Sequence, residues 1–161
     1  MYENLCEFGK HRYPDFKELY EKMLRLGELA KKDKFPLVLC HVDCWSPNWL
    51  VTEVDGNKTI NLIDWEFGGS CDAGLDIGTF IGCSDYTFDE AVEVIKAYFG
   101  GNPTKVELRH MLALTSLTCY YWFLLAINYI VERGIFNEEH EKQMYDNILT
   151  FYNSALPYYN E

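Results

Sequence analysis

Residues 111–131 carry no formally charged side chain, although 24% of the chain is charged. A helix of that composition cannot lie on a solvated surface. It either spans a bilayer or forms the buried centre of a helical domain. Thr115, Ser116, Thr118, Tyr120, Tyr121 and Asn128 fall inside the run, which is polar for a lipid-facing helix. No second segment of this kind accompanies it, and its neighbours read as amphipathic. The run is therefore expected to be a core helix, with no membrane as partner. Pro103 opens it, and it runs to about Arg133, with Gly134 as its end.

The remaining elements arrange themselves around that helix. Residues 1–13 lack periodicity and read as an irregular arm. Phe16, Leu19, Met23, Leu26 and Ala30 recur at helical spacing, predicting a helix from Pro14-Asp15 to about Lys32. A strand is expected over 37–40. Residues 48–54 and 59–63 are apolar and β-branched and flank the turn Asp55-Gly56-Asn57, a hairpin signal. Residues 64–74 read as turn. A short helix is expected over 75–81, another over 85–99 before Gly100-Gly101, and a last one from Asn137 to about Ala155, before Pro157. The fold class is α+β and mostly helical, in one domain over residues 1–161.

Asp plus Glu outnumber Lys plus Arg by 25 to 14, for a net charge of −11. Nucleic acid is excluded as a partner, since it needs a basic footprint. A cationic ligand or a metal ion fits the charge better. The six cysteines form no C-x-x-C pair, and no signal pattern opens the chain. A reducing, cytoplasmic location follows as the expectation.

The chemistry concentrates in residues 40–51, Cys-His-Val-Asp-Cys-Trp-Ser-Pro-Asn-Trp-Leu-Val. His41, Asp43 and Asn48 interrupt an apolar stretch that ends a strand. The hairpin then returns Leu62-Ile63-Asp64-Trp65-Glu66 beside it, so that Asn48 and Asp64 can converge at the hairpin mouth. Two carboxylates and an amide in one place suit phosphoryl transfer. One Asp orients an attacking hydroxyl and accepts its proton; the Asn and the second Asp hold Mg2+ on nucleotide phosphates. A zinc site built on Cys40, His41, Asp43 and Cys44 lacks the paired spacings such sites show.

The segments His41-Val42-Asp43-Cys44-Trp45-Ser46-Pro47-Asn48 and Leu62-Ile63-Asp64-Trp65-Glu66 resemble the catalytic and metal-binding loops of the aminoglycoside phosphotransferase and choline/ethanolamine kinase superfamily, whose fold is similar to that of protein kinases. Residues 67–80 resemble the stretch after the metal-binding Asp in choline and ethanolamine kinases, the bacterial LicA-type choline kinases included. The likeness covers residues 37–80 well and the aromatic helix at 119–129 more loosely. It implies Asp43 as catalytic base, Asn48 and Asp64 as Mg2+ ligands on ATP, and His41 as a support of the loop. It implies Asp76 as a structural tie of that loop. Glu66 and Trp122, with Tyr121 as second ring, would face a quaternary ammonium. The implied acceptor is a small cationic alcohol, choline first, then ethanolamine, then an aminoglycoside.

Such a kinase also needs a Gly-rich strand turn and a strand lysine over the phosphates. Before His41 the only glycines are Gly9 and Gly27, with no G-x-G. The chain is therefore expected to be the C-terminal lobe of a protein-kinase-like fold, with the N-terminal nucleotide lobe absent and the isolated chain inactive. A non-catalytic binding or scaffold domain of the same ancestry is the alternative. The surface that an N-terminal lobe would cover is apolar, so a homodimer is expected.

Overall fold

A computed structural model describes residues 12–84, 86–134 and 137–160, the side chains of 131 and 132 excepted. Helix α1 spans Phe16–Ala30 and closes with a 3-10 turn, Lys31–Asp33. Strand β1 (Leu37–Cys40) follows, then a 3-10 turn (Ser46–Asn48), then β2 (Trp49–Val54) and β3 (Asn57–Leu62). After a 3-10 turn at Trp65–Phe67 comes β4 (Gly69–Asp72). Four helices complete the chain: α2 (Gly74–Gly82), α3 (Phe88–Tyr98), α4 (Lys105–Arg133) and α5 (Glu138–Tyr159).

The uncharged run lies in α4, which forms the centre of the fold. Residues from Lys105 to Ile130 are long and apolar enough to cross a membrane, but 61% of the apolar window is buried inside the protein. Met111, Leu112, Ala113, Cys119, Phe123 and Ile127 of α4 join Leu19, Met23 and Leu26 of α1 and Met144, Ile148 and Phe151 of α5 in one core. Truncating a ring such as Phe123 in that setting costs about 3–5 kcal/mol. Thr104 and Glu107 cap each other at the start of α4, and Gly134 ends it with φ 66°.

The strands form two antiparallel pairs. In one, β2 and β3 pair from Trp49↔Leu62 to Val54↔Asn57. Asp55 and Gly56 both have positive φ (51° and 76°), the signature of a two-residue type I′ turn. Asn57 therefore starts β3 instead of belonging to the turn, and Asn48 closes a 3-10 turn instead of opening β2. In the other pair β1 meets β4, from Leu37↔Asp72 to Cys40↔Gly69. Residues 64–74 read as turn from their glycines, yet four of them form a strand. Nothing β-branched marks Gly69–Asp72; the exposed edge of β1 supplies the pairing.

Two further limits shift. Helix α5 continues past Pro157 to Tyr159, because tertiary bonds hold its last turn: Tyr159 Oη donates to Asp33, and Arg109 donates to the Tyr158 carbonyl. Helix α3 starts at Phe88, capped by Thr87 and Glu90. Asp85, the expected start, and residues 1–11 of the arm expected over 1–13 lie outside the described residues, whereas Tyr13 packs edge-on against Phe123 in the core.

Candidate active site

The site begins where β1 runs out. The His41 and Val42 backbone N–H groups donate to the two oxygens of Asp76, at 3.1 and 2.6 Å. Val42 has φ 72°, a conformation that a β-branched residue adopts only under constraint. Asp76 reaches the loop because α2 lies close on α4. A Cβ on Gly78 would stand 2.7 Å from Thr118 Oγ1 and 3.1 Å from the Leu114 carbonyl oxygen. One on Gly74 would stand 2.7 Å from Leu114 Cβ.

The His41 ring is buried and meets the Ile63 carbonyl through Nε2 at 2.8 Å. The Ile63 N–H donates to the Asn48 carbonyl at 3.0 Å. Ile63 thus joins both loops, and Asp64 follows it in the left-handed region, with φ 67° and ψ 61°. The buried Asn48 side chain donates from Nδ2 to the Asp43 carbonyl (2.9 Å) and to Asp43 Oδ2 (3.0 Å). Its amide nitrogen is so engaged, which leaves Oδ1 as the free lone-pair donor.

Burial raises the Asp43 pKa above the ordinary value, against the hydrogen bond from Asn48; the neighbouring Asp64 charge adds to the rise. Asn48 thus bonds Asp43 directly, and the charge of Asp64 acts on Asp43. Among the described residues no three His, Cys, Asp or Glu side chains form a metal-holding cluster. The oxygens on offer are the Asn48 amide and the exposed Asp64 carboxylate. Two hard oxygen donors, with water and phosphate completing the octahedron, fit Mg2+, which seldom takes an all-protein cage.

Asp43 also lines a cavity of about 310 Å³. Its walls include Trp45, Glu66, Phe67, Cys83, Trp122, Leu125, Ala126, Tyr129, Asn137 and His140. Glu66 and Trp122 thus share one cavity with Asp43. Phe67 and Trp122 meet edge to face, with centroids 6.2 Å apart. Tyr121 stands elsewhere: it is 46% exposed, packs edge-on against Trp122, and is not among the lining residues. Sequence reasoning missed Trp45, Phe67 and Tyr129. Tyr129 lies seven residues, two helical turns, after Trp122 on α4, and that spacing could have found it. Burial holds the His140 pKa below the ordinary histidine value and pushes the Cys83 thiol up to about 12. Neither adds a positive or a thiolate charge to the cavity at neutral pH.

Residues 2–103 match the family model described as choline/ethanolamine kinase, well over half of the chain. The chain belongs to the choline/ethanolamine kinase family. Two solved structures share its fold. One is a Plasmodium vivax ethanolamine kinase, with TM-score 0.66 and 17% identity, covering 96% of this chain and 49% of that one. The other is a choline/ethanolamine kinase family protein from Mesorhizobium loti, with TM-score 0.72 and 15% identity, covering 99% of this chain and 56% of that one. The chain thus spans about half the length of these relatives. A search of curated proteins finds no match. The kinase-like fold read from the loops is the fold observed.

Proposed function

We propose that this chain is the substrate-binding half of a small-molecule kinase that moves the ATP γ-phosphoryl group to the hydroxyl of choline or a related amino alcohol. One observation carries the reading: Asp43 lines the same cavity as Glu66 and four aromatic rings. A base at one end and a carboxylate among ring faces suit a short alcohol with a cationic head. A quaternary ammonium offers no N–H, so ring faces and net negative charge must hold it.

Asp43 orients the acceptor hydroxyl and takes its proton as the oxygen attacks; its raised pKa makes it the stronger base. Asn48 keeps the Asp43 carboxylate in place by donating to it. Asn48 Oδ1 and Asp64 would hold Mg2+, whose chemistry is to neutralise charge on the ATP phosphates. His41 and Asp76 position the loop. The nucleotide-covering half belongs, in this reading, to a partner segment outside residues 12–160. Leu37, Leu39, Val51, Val54 and Ile60 are exposed, and such a segment would cover them.

An aminoglycoside would need scattered carboxylates along a wide cleft. Of the carboxylates at the C-terminal end, Glu141 is buried against Arg12, Glu138 also meets Arg12, and Asp146 pairs with Lys142, whereas Glu66 and Asp43 are the carboxylates that line the cavity. Choline is therefore favoured. The test is a substrate panel of choline, ethanolamine and aminoglycosides on the protein with its nucleotide-binding half. Choline turnover with a raised KM in Trp122→Ala supports the reading. Turnover on amino sugars alone, indifferent to Trp122, would defeat it.

A further inference from the structure

Val42 precedes the proposed base and sits in a left-handed conformation. Two bonds from Asp76 fix the N–H side of the loop. The carbonyl side needs its own restraint, because rotation of the 42–43 peptide would swing Asp43. That restraint is Thr79, whose hydroxyl donates to the Val42 carbonyl at 2.8 Å. A threonine within a helix usually donates to the carbonyl four residues back. Thr115 and Thr150 do so. Thr79 instead points across to the loop, although it is completely buried.

The Thr79 oxygen in turn accepts from the Trp122 indole N–H at 3.2 Å. The three groups form one directional chain: indole N–H to hydroxyl oxygen, hydroxyl hydrogen to carbonyl. Each donor polarises the next. Trp122 also lines the cavity that Asp43 opens into. One end of the chain is therefore a cavity wall and the other is the peptide that aims Asp43.

We propose that Thr79 is a positioning residue for Asp43, and that Trp122, through its N–H, sets the Thr79 hydroxyl and so couples cavity occupancy to the aim of the base. The coupling rests on the reading of this cavity as the site of a cationic alcohol. The restraint on the loop does not. The Trp122 side chain thus has two separate uses, one as a wall of the cavity and one through its N–H at Thr79.

The test uses amide exchange and NMR on the chain itself, with choline as the probe. Without ligand, Thr79→Val should speed exchange of the His41 and Val42 amides roughly three- to tenfold, the factor one net hydrogen bond commands. Thr79→Ser should restore it, and core amides of α4 should not change. Trp122→Phe keeps a ring and removes the N–H; it should give a smaller rise at the same two amides, and it serves where Thr79→Val fails to fold. Unchanged exchange at His41 and Val42 in the folded variants would overturn the proposal, whether or not choline binds. Choline is then added. In the unmodified chain the Trp122 indole and Val42 amide resonances should move together; Val42, unlike Asp43, is not among the residues lining the cavity. In Thr79→Val the indole should still move and the Val42 amide should not. Equal movement of both in that variant would overturn the coupling. If choline moves no resonance in any variant, the amino-alcohol reading and the coupling fall together, while the exchange rates still decide the restraint.

Discussion

The His41 backbone N–H donates to Asp76 Oδ2 at 3.1 Å, although the two residues lie 35 positions apart. With the Val42 bond to the other oxygen, one carboxylate fastens the loop between β1 and the 3-10 turn to helix α2. Hydrogen bonds to a charged group contribute about 1.5–3 kcal/mol each, and their loss leaves two donors to be satisfied. Asp76→Ala should lower unfolding free energy by about 2–4 kcal/mol, read from the urea midpoint at constant m-value. A loss below about 0.5 kcal/mol would show the tie to be ornamental.

In the protein with its nucleotide-binding half, Asp43→Asn should abolish the proposed phosphoryl transfer; in the chain itself it should stabilise the fold at pH 7. The carboxyl pKa is raised in the folded state, chiefly by burial. A raised pKa means that the folded state prefers the protonated acid. The preference helps folding at low pH and is lost as pH rises through the folded pKa. The amide of Asn is neutral throughout and can still accept from Asn48. Thermal melts should show the variant more stable at pH 7, with the gap closing below about pH 3, where the ordinary Asp is protonated. A variant less stable at pH 7 would contradict the assigned cause.

Gly78→Ala should harm both fold and catalysis. Its Cβ would meet Thr118 Oγ1 at 2.7 Å and α4 backbone at 3.1 Å, and backbone cannot turn aside. Overpacking of this kind costs about 1–3 kcal/mol. Helix α2 would move off α4 and carry Asp76 and Thr79 away from the loop. In the protein with its nucleotide-binding half, turnover should fall more than the folded fraction does, measured together by activity and circular dichroism.

Arg109→Met tests the far side of the core. Asp33 has a fully buried side chain and accepts from Arg109 at 2.6 and 3.1 Å, from Tyr159 at 2.6 Å, and faces His110 at 3.3 Å. Removing one partner of a buried charge costs about 3 kcal/mol. The loss should be visible as a lower melting temperature, while choline binding by the folded protein stays the same.

Much of this site was legible in the sequence, because its chemistry sits in two short segments. His41, Asp43 and Asn48 share one loop, and Asp55-Gly56 announces the hairpin that returns Asp64. The apolar face of α4 announces the core. What stayed hidden was set by distant partners. Strand β4 has no β-branched residue and exists because β1 offers an edge. The last turn of α5 outlasts Pro157 because Asp33 and Arg109 hold it. Trp45, Phe67 and Tyr129 join Trp122 only once the 3-10 turns and α4 come together around the cavity.

Choline titration followed by calorimetry or NMR decides whether the cavity beside Asp43 holds a cationic alcohol. Saturable binding is expected, about millimolar for so small a contact surface. A cation–π contact of about 1–2 kcal/mol makes Trp122→Ala weaken it roughly five- to thirtyfold, and Glu66→Gln should weaken it as well. No saturable binding, or binding that ignores both Trp122 and Glu66, would show that the cavity is not the site of a cationic alcohol.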